Sequence, residues 1–241
     1  MGQSIELQLR ALEAKAVSQT RPEVPRPPMH IDRAGHAEEV ELVQRVFLLP
    51  AREAPRVVVF CGVGQIDGGA GICARAAENL ACLTGCSVCV AEGDCHSPSL
   101  HRYFGLDNSR GLTDAVLESG PIRDFVCLLP GTDLAVLAGG SRCREAQAVW
   151  KSGRLQYRIA ELRREFSYVL IYGPHVSQKD VDAALLGQIA DGVILILESM
   201  VTRRDTARMA KENLAGANVK ILGAVLNNHT FSIPDTLYRR L

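Results

Sequence analysis

Five glycines fall in the ten positions Gly62 to Gly71, read as Gly62-Val63-Gly64-Gln65-Ile66-Asp67-Gly68-Gly69-Ala70-Gly71. A glycine-dense loop of this kind lets backbone N–H groups approach a phosphate, and a helix starting at its end adds favourable partial charge. Two acids, Glu92 and Asp94, follow at the end of the next apolar run, where α/β proteins place ligands. The loop lacks the groups that do chemistry on a nucleotide. A loop of the form G-x-x-x-x-G-K-[ST] needs its Lys on the phosphates and its Ser or Thr on Mg²⁺. Here Gly68 is followed by Gly69 and Ala70.

The elements that must position these residues are legible around them. Val57 to Cys61 is a β-branched, apolar run and reads as a buried strand; Ile72 to Leu83 reads as a helix stopped by Gly85; Ser87 to Ala91 reads as a second strand. Strand, glycine loop, helix and strand make a βαβ unit. Upstream, Ser4 to Ser18 carries a helical apolar stripe, and Arg21 to Pro28 holds four prolines. The expected division is a helical arm over 1–20, a proline-rich linker over 21–34 and one α/β domain over 35–241. His36 to Leu48 reads as an amphipathic helix that ends before Pro50. Ser97 and Pro98 predict the N-cap and first residue of a short helix. Further short helices are expected over Gly111–Leu117, Asp180–Ile189 and Arg203–Leu214. A longer one, Arg154 to Phe166, is expected to present Arg158 to Glu165 as a solvated charged face. Leu134–Leu137, Tyr168–Tyr172, Val193–Leu197 and Val219–Leu226 read as strands, the second broken by Gly173-Pro174. Alternating strands and helices predict a mostly parallel sheet covered on both faces.

Composition narrows the function. The chain has 241 residues, 27 basic and 27 acidic, so net charge gives no argument for nucleic acid as a partner. No apolar run is long enough to span a bilayer, and no signal-peptide core is present at the N-terminus, so a cytoplasmic location is expected. Most of the cysteines sit inside apolar segments and read as small hydrophobes. Cys86 and Cys89 form a C-x-x-C whose sulfurs would point to opposite faces of a strand. His96, His101 and His175 read as residues without a role in chemistry, and Trp150 as packing.

The segments "VCVAEGDCHSPSLHRYFGL", "GLTDAVLESG", "YVLIYGPHV", "DGVILILES" and "GAVLNNH", in this order after the glycine loop, resemble the bacterial capsular and exopolysaccharide tyrosine kinases. These are deviant P-loop ATPases related to the septum-site and chromosome-partitioning ATPases. The resemblance covers Glu38 to His229 and implies a P-loop NTPase-like α/β fold. It also implies an ATP and Mg²⁺ site, carried over position by position. The family's P-G-E-G-K-[ST] falls on Gln65, Ile66, Asp67, Gly68, Gly69 and Ala70. Its D-x-D-x-R falls on Glu92, Asp94 and His96. The Asp of its second acidic strand falls on Tyr172, with Pro174 kept. An adenine-contacting Asn falls on Asn227. The expected site is therefore vestigial: Gly64, Asp67, Gly68, Gly69, Ala70, Gly71 and Asn227 would line it, with Glu92 and Asp94 left for Mg²⁺. No catalytic residue is assigned, because Gly69, Ala70 and Tyr172 occupy the catalytic positions. Arg75 and Lys151 are the cations considered as substitutes.

What the resemblance implies about role follows from that erosion. The expected function is a pseudo-ATPase or pseudokinase that regulates or scaffolds exopolysaccharide production. Its partner would be the membrane polysaccharide co-polymerase or an active kinase paralogue, at the inner membrane. An active kinase with displaced catalytic groups is the alternative. A dinucleotide binder is a second one, suggested by Gly62-Val63-Gly64 and Glu92. The ring-forming acidic and arginine motif of active relatives is matched in part by Glu38, Glu39 and Arg45, but Leu42 stands where an arginine is expected. Of the tyrosine-rich tail that such kinases phosphorylate, Tyr238 alone has a counterpart.

Overall fold

A computed structural model describes residues 33–48, 54–64, 66, 68–141, 153–176 and 182–228. The expectations for the N-terminal arm, the proline linker, Gln65, Asp67, Trp150, Lys151 and Tyr238 lie outside the described residues.

Seven strands form one sheet in the order β3-β4-β2-β5-β1-β6-β7. Their ranges are β1 Val57–Val63, β2 Val88–Glu92, β3 Cys127–Leu128, β4 Leu134–Leu137, β5 Tyr168–Val176, β6 Gly192–Glu198 and β7 Ile221–Asn227. Every pairing is parallel except that of β3 with β4. The helices are α1 Arg33–Phe47, α2 Gly69–Thr84, α3 Leu100–Tyr103, α4 Leu112–Leu117, α5 Arg154–Glu165, α6 Asp182–Ile189 and α7 Arg204–Gly216, with a 3₁₀ turn at Ile122–Phe125. The parallel sheet with helices on both faces is the architecture expected from the alternation of elements.

Both faces of the sheet are apolar because consecutive strand residues point to opposite sides. In β1, Val57, Val59, Cys61 and Val63 enter one core with Leu155, Ile159, Leu186 and Leu214, from α5, α6 and α7. Val58 and Phe60 enter the other with Val43, Phe47, Ile72 and Leu80, from α1 and α2. Burial pushes the Cys61 thiol up to about 12, with the Asp94 charge adding to the effect, and burial alone pushes Cys89 higher. Both remain protonated packing groups.

Several expectations are corrected. β5 is not broken at Gly173-Pro174 but runs on to Val176. A register shift against β1 between Cys61 and Val63 takes up the residue that cannot donate a ladder hydrogen bond. α2 begins inside the glycine loop at Gly69, three residues before the expected start. α3 begins at Leu100 with Ser99 as its N-cap, not at Ser97-Pro98. Arg158 is buried rather than solvated. Its guanidinium donates to the carbonyls of Ala115, Glu118 and Gly120 at 2.6–2.7 Å, and so caps the C-terminal end of α4.

Candidate functional site

The carboxyl ends of β1, β2 and β5 meet below the glycine loop. Register places Tyr172 beside Phe60 on one side and Glu92 on the other. Gly68 is the N-cap of α2 at φ 79°, a left-handed conformation that favours glycine, and its carbonyl accepts from the N–H of Gly71 at 2.9 Å. The first turn of α2 is therefore Gly69, Ala70 and Gly71. The first N–H groups of a helix have no partner one turn back, which is the feature a phosphate cradle uses.

The side chains around that cradle have a different chemistry. A Cβ at Gly69 would lie 3.0 Å from the Tyr172 hydroxyl and 3.2 Å from its ring. Tyr172 is 5% exposed. Burial, then the charges of Glu92 and Asp94, push its phenol well above the usual range. It is thus a neutral, space-filling group beside the residue that carries the phosphate-binding lysine in the P-loop motif.

The two acids are bound to backbone. Glu92 accepts from the N–H of Ser99 at 2.7 Å and of Leu100 at 2.8 Å through Oε2, and from that of Asp94 at 3.1 Å through Oε1. Those bonds cap α3 and explain why it begins where it does. Burial raises the Glu92 carboxyl to about 7 against the lowering effect of the three N–H bonds. Asp94 accepts from His96 N at 2.9 Å and Ser97 N at 3.2 Å, both on Oδ1, which shapes the loop after β2. The Mg²⁺ assignment of Glu92 and Asp94 is met by a pair that holds a loop together. Gly69, Ala70 and Tyr172 stand beside these acids, and both Glu92 oxygens accept from backbone N–H groups.

The remaining expected residues separate. Arg75 Nε donates to Glu39 Oε1 at 2.6 Å and ties α2 to α1, while its Nη1 lies 3.1 Å from where a Cβ at Gly71 would stand. Glu39, from the partly matched ring motif, is accordingly buried, while Arg45 pairs with Glu41 at the surface. Asn227 stands on β7, two strands from β1, and donates to Glu198 Oε2 at 2.9 Å. The histidines differ in surroundings. His96 Nε2 lies 3.5 Å from Asp182 Oδ2. His175 is on β5 rather than in a loop, against Gly62, and its Nδ1 is buried with no hydrogen-bond partner among the described residues.

Two features of the site were not read from the sequence. Glu198, at the end of β6, also accepts from Asn228, and Thr202 bridges the β6–α7 turn to β1 through Val63 O at 3.3 Å. A cavity of about 320 Å³ lies here, lined by Val63, Gly64, Val201, Thr202, Arg203 and Thr206. An acid ending an apolar strand is the available signal for Glu198. The second feature is a buried clasp in which the Thr113 hydroxyl donates to Gly139 O and Asp114 accepts from Gly111 N. It joins α4 to the loop after β4, and nothing in its spacing announces that contact.

A parallel sheet of this order, with a glycine loop between β1 and the helix that follows, defines a P-loop-type ATPase fold. The crystal structure of the chimerical protein CapA2B2 superposes with a TM-score of 0.74 at 22% identity, over 87% of this chain and 88% of that one. A plasmid partition protein from Borrelia burgdorferi superposes with a TM-score of 0.58 at 13% identity, over 78% and 87%. No family model matches the chain. In sequence, the tyrosine-protein kinase YwqD of Bacillus subtilis is 30% identical over 159 residues, which are 65% of this chain and 67% of that protein. A putative tyrosine-protein kinase CapB of Staphylococcus aureus is 25% identical over 57% of this chain and 60% of its own length. The chain thus spans about two thirds or less of these relatives. It belongs to the family of bacterial capsular and exopolysaccharide tyrosine kinases.

Proposed function

We propose that the chain is a pseudokinase that regulates or scaffolds bacterial exopolysaccharide or capsule biosynthesis and binds nucleotide weakly or not at all. The observation that carries this reading is the packing of Tyr172 on Gly69, 3.0 Å from where a side chain would begin. The two departures from the family's motif are sterically matched. A side chain at 69 would start in tight contact with the Tyr172 phenol, which would have to give way by a few tenths of an ångström, whereas glycine leaves it in place. Phosphoryl transfer relies on positioning and charge neutralisation around the phosphates. Losing one such contact costs about 2–4 kcal/mol at the transition state, and here three positions have changed. The Glu92 carboxylate is bonded to backbone N–H groups, which also disfavours the ribose contact that a dinucleotide binder would need.

The partner under this reading is the cytoplasmic tail of a polysaccharide co-polymerase or an active kinase paralogue. No helix among the described residues is long and apolar enough to cross a membrane. Calorimetry with ATP and ADP, with and without Mg²⁺, tests the site. Absent or weak, Mg²⁺-independent binding is expected. Tight Mg²⁺-dependent binding followed by turnover or tyrosine phosphorylation overturns the reading.

A further inference from the structure

The turn between β6 and α7 borders the cavity that Val201, Thr202 and Arg203 share with Gly64, and it also turns an apolar surface outward to solvent. Met200 is 100% exposed and Val201 61% exposed. The turn is held from beneath. The N–H groups of Val201 and Thr202 donate to Glu198 O, at 3.3 and 2.9 Å. The Thr202 hydroxyl accepts from Glu198 N at 2.8 Å and donates to Val63 O at 3.3 Å. Met200 adopts φ 61°, a left-handed conformation uncommon for a residue with a side chain. Two large apolar side chains are thus fixed in water at a protruding turn rather than folded under it.

Cations follow directly. Arg203 is the N-cap of α7, and Arg204, Arg208 and Lys211 recur at helical spacing along one exposed face. These three line a shallow surface depression with Ala207 and Glu212. The opposite face, with Ala210 and Leu214, is buried in the core. Asp205 and Glu212 are the acids within the helix. A patch this basic is local, because the chain as a whole carries no net charge.

We propose that this surface docks on an anionic lipid bilayer. Met200 and Val201 enter the boundary between headgroups and acyl chains, and Arg203, Arg204, Arg208 and Lys211 lie against lipid phosphates. Protruding apolar groups beside a row of cations match a bilayer, which takes in convex apolar groups and supplies a continuous sheet of negative charge. Charge complementarity selects the lipid class, and the apolar pair distinguishes this surface from one that reads only phosphate. The inference does not depend on whether the glycine loop holds a nucleotide.

Sedimentation of the full chain with mixed phosphatidylglycerol–phosphatidylcholine vesicles, against phosphatidylcholine vesicles alone, provides the test. Binding only to the anionic vesicles is expected, weakening as salt rises. Replacing Arg204, Arg208 and Lys211 together by Gln lowers the partition about 100-fold, from a general contribution of about 1 kcal/mol per cation at an anionic surface. Met200→Ser with Val201→Ser lowers it by about tenfold or more. All five positions lie on the surface, so both variants are expected to keep the parent's circular dichroism and melting temperature. Equal binding to neutral vesicles overturns the proposal. So does full retention of binding when all five positions are changed, or binding of duplex DNA in place of vesicles.

Discussion

Restoring a lysine at position 69 while Tyr172 remains crowds its Cβ against the phenol. Gly69→Lys alone is expected to leave Mg-ATP binding absent and to destabilise the fold by about 1–3 kcal/mol through overpacking. Urea unfolding and calorimetry read the two effects. Gly69→Lys, Ala70→Thr and Tyr172→Asp together should gain Mg²⁺-dependent nucleotide binding, because α2 starts at Gly69 directly after the left-handed Gly68. If the single variant binds as well as the triple one, Tyr172 is not the obstacle. Glu92 makes a separate prediction. Burial raises its carboxyl in the folded state to about 7 from the ordinary 4.5. The folded protein therefore holds a proton that the unfolded chain has released. Glu92's contribution to stability is greatest below pH 4.5, falls as pH rises to about 7, and stays reduced above it. Denaturation across this range should show the decline in the parent and not in Glu92→Ala. That variant is also less stable at acidic pH, because three N–H groups lose their acceptor. Parallel profiles for the two proteins contradict this account.

At the scale of elements, two arginines hold helices that the apolar pattern alone leaves loosely specified. Arg158, on α5, donates to three carbonyls in and just after the end of α4 and pairs with Glu161 at 2.6 Å. Removing it strands those carbonyls in a buried place, so Arg158→Ala should cost about 3–5 kcal/mol in urea unfolding. Arg164, the exposed member of the same charged run, should cost less than about 0.5 kcal/mol when truncated. Similar losses at both positions would contradict the burial difference. Arg75 joins α2 to α1 through Glu39, whose Oε2 is buried without a hydrogen-bond partner among the described residues. A double-mutant cycle between Arg75→Ala and Glu39→Ala should return a coupling of about 1–3 kcal/mol. A coupling near zero would mean that apolar packing around Val43 and Phe47 is enough to dock α1.

For the whole molecule, the order of the sheet ranks the stability of its parts. β1 is paired on both sides and every one of its residues is buried. β7 is an edge strand with none of its residues fully buried, and β3 is a two-residue edge strand. Amide exchange should be slowest in β1 and β5 and fastest in β3 and β7, since opening at an edge exposes less apolar surface. Slow exchange in β7 would instead show that a further segment or partner covers that edge.

The strands, their parallel arrangement and the glycine loop were legible because alternation, buried apolar runs and glycine density are local signals with fixed periods. The loss of the lysine, the hydroxyl and the acid at Gly69, Ala70 and Tyr172 was equally plain from residue type. What those losses mean sterically was not local. Gly69 and Tyr172 are more than a hundred residues apart, and only the register of β5 against β1 brings the phenol onto the glycine. The same holds for Glu92. Its type and place suggested a metal ligand, but its partners are set by the path of the loop after β2, which turns two backbone N–H groups of the α3 start onto it. Arg158 shows the reverse error, since a charge in a helical run looks solvated until a second helix ends against it. Residue types determined which groups of the family's motif the chain lacks at Gly69, Ala70 and Tyr172. Tertiary structure decided what fills the vacated space, because hydrogen bonds and close contacts depend on where distant segments meet.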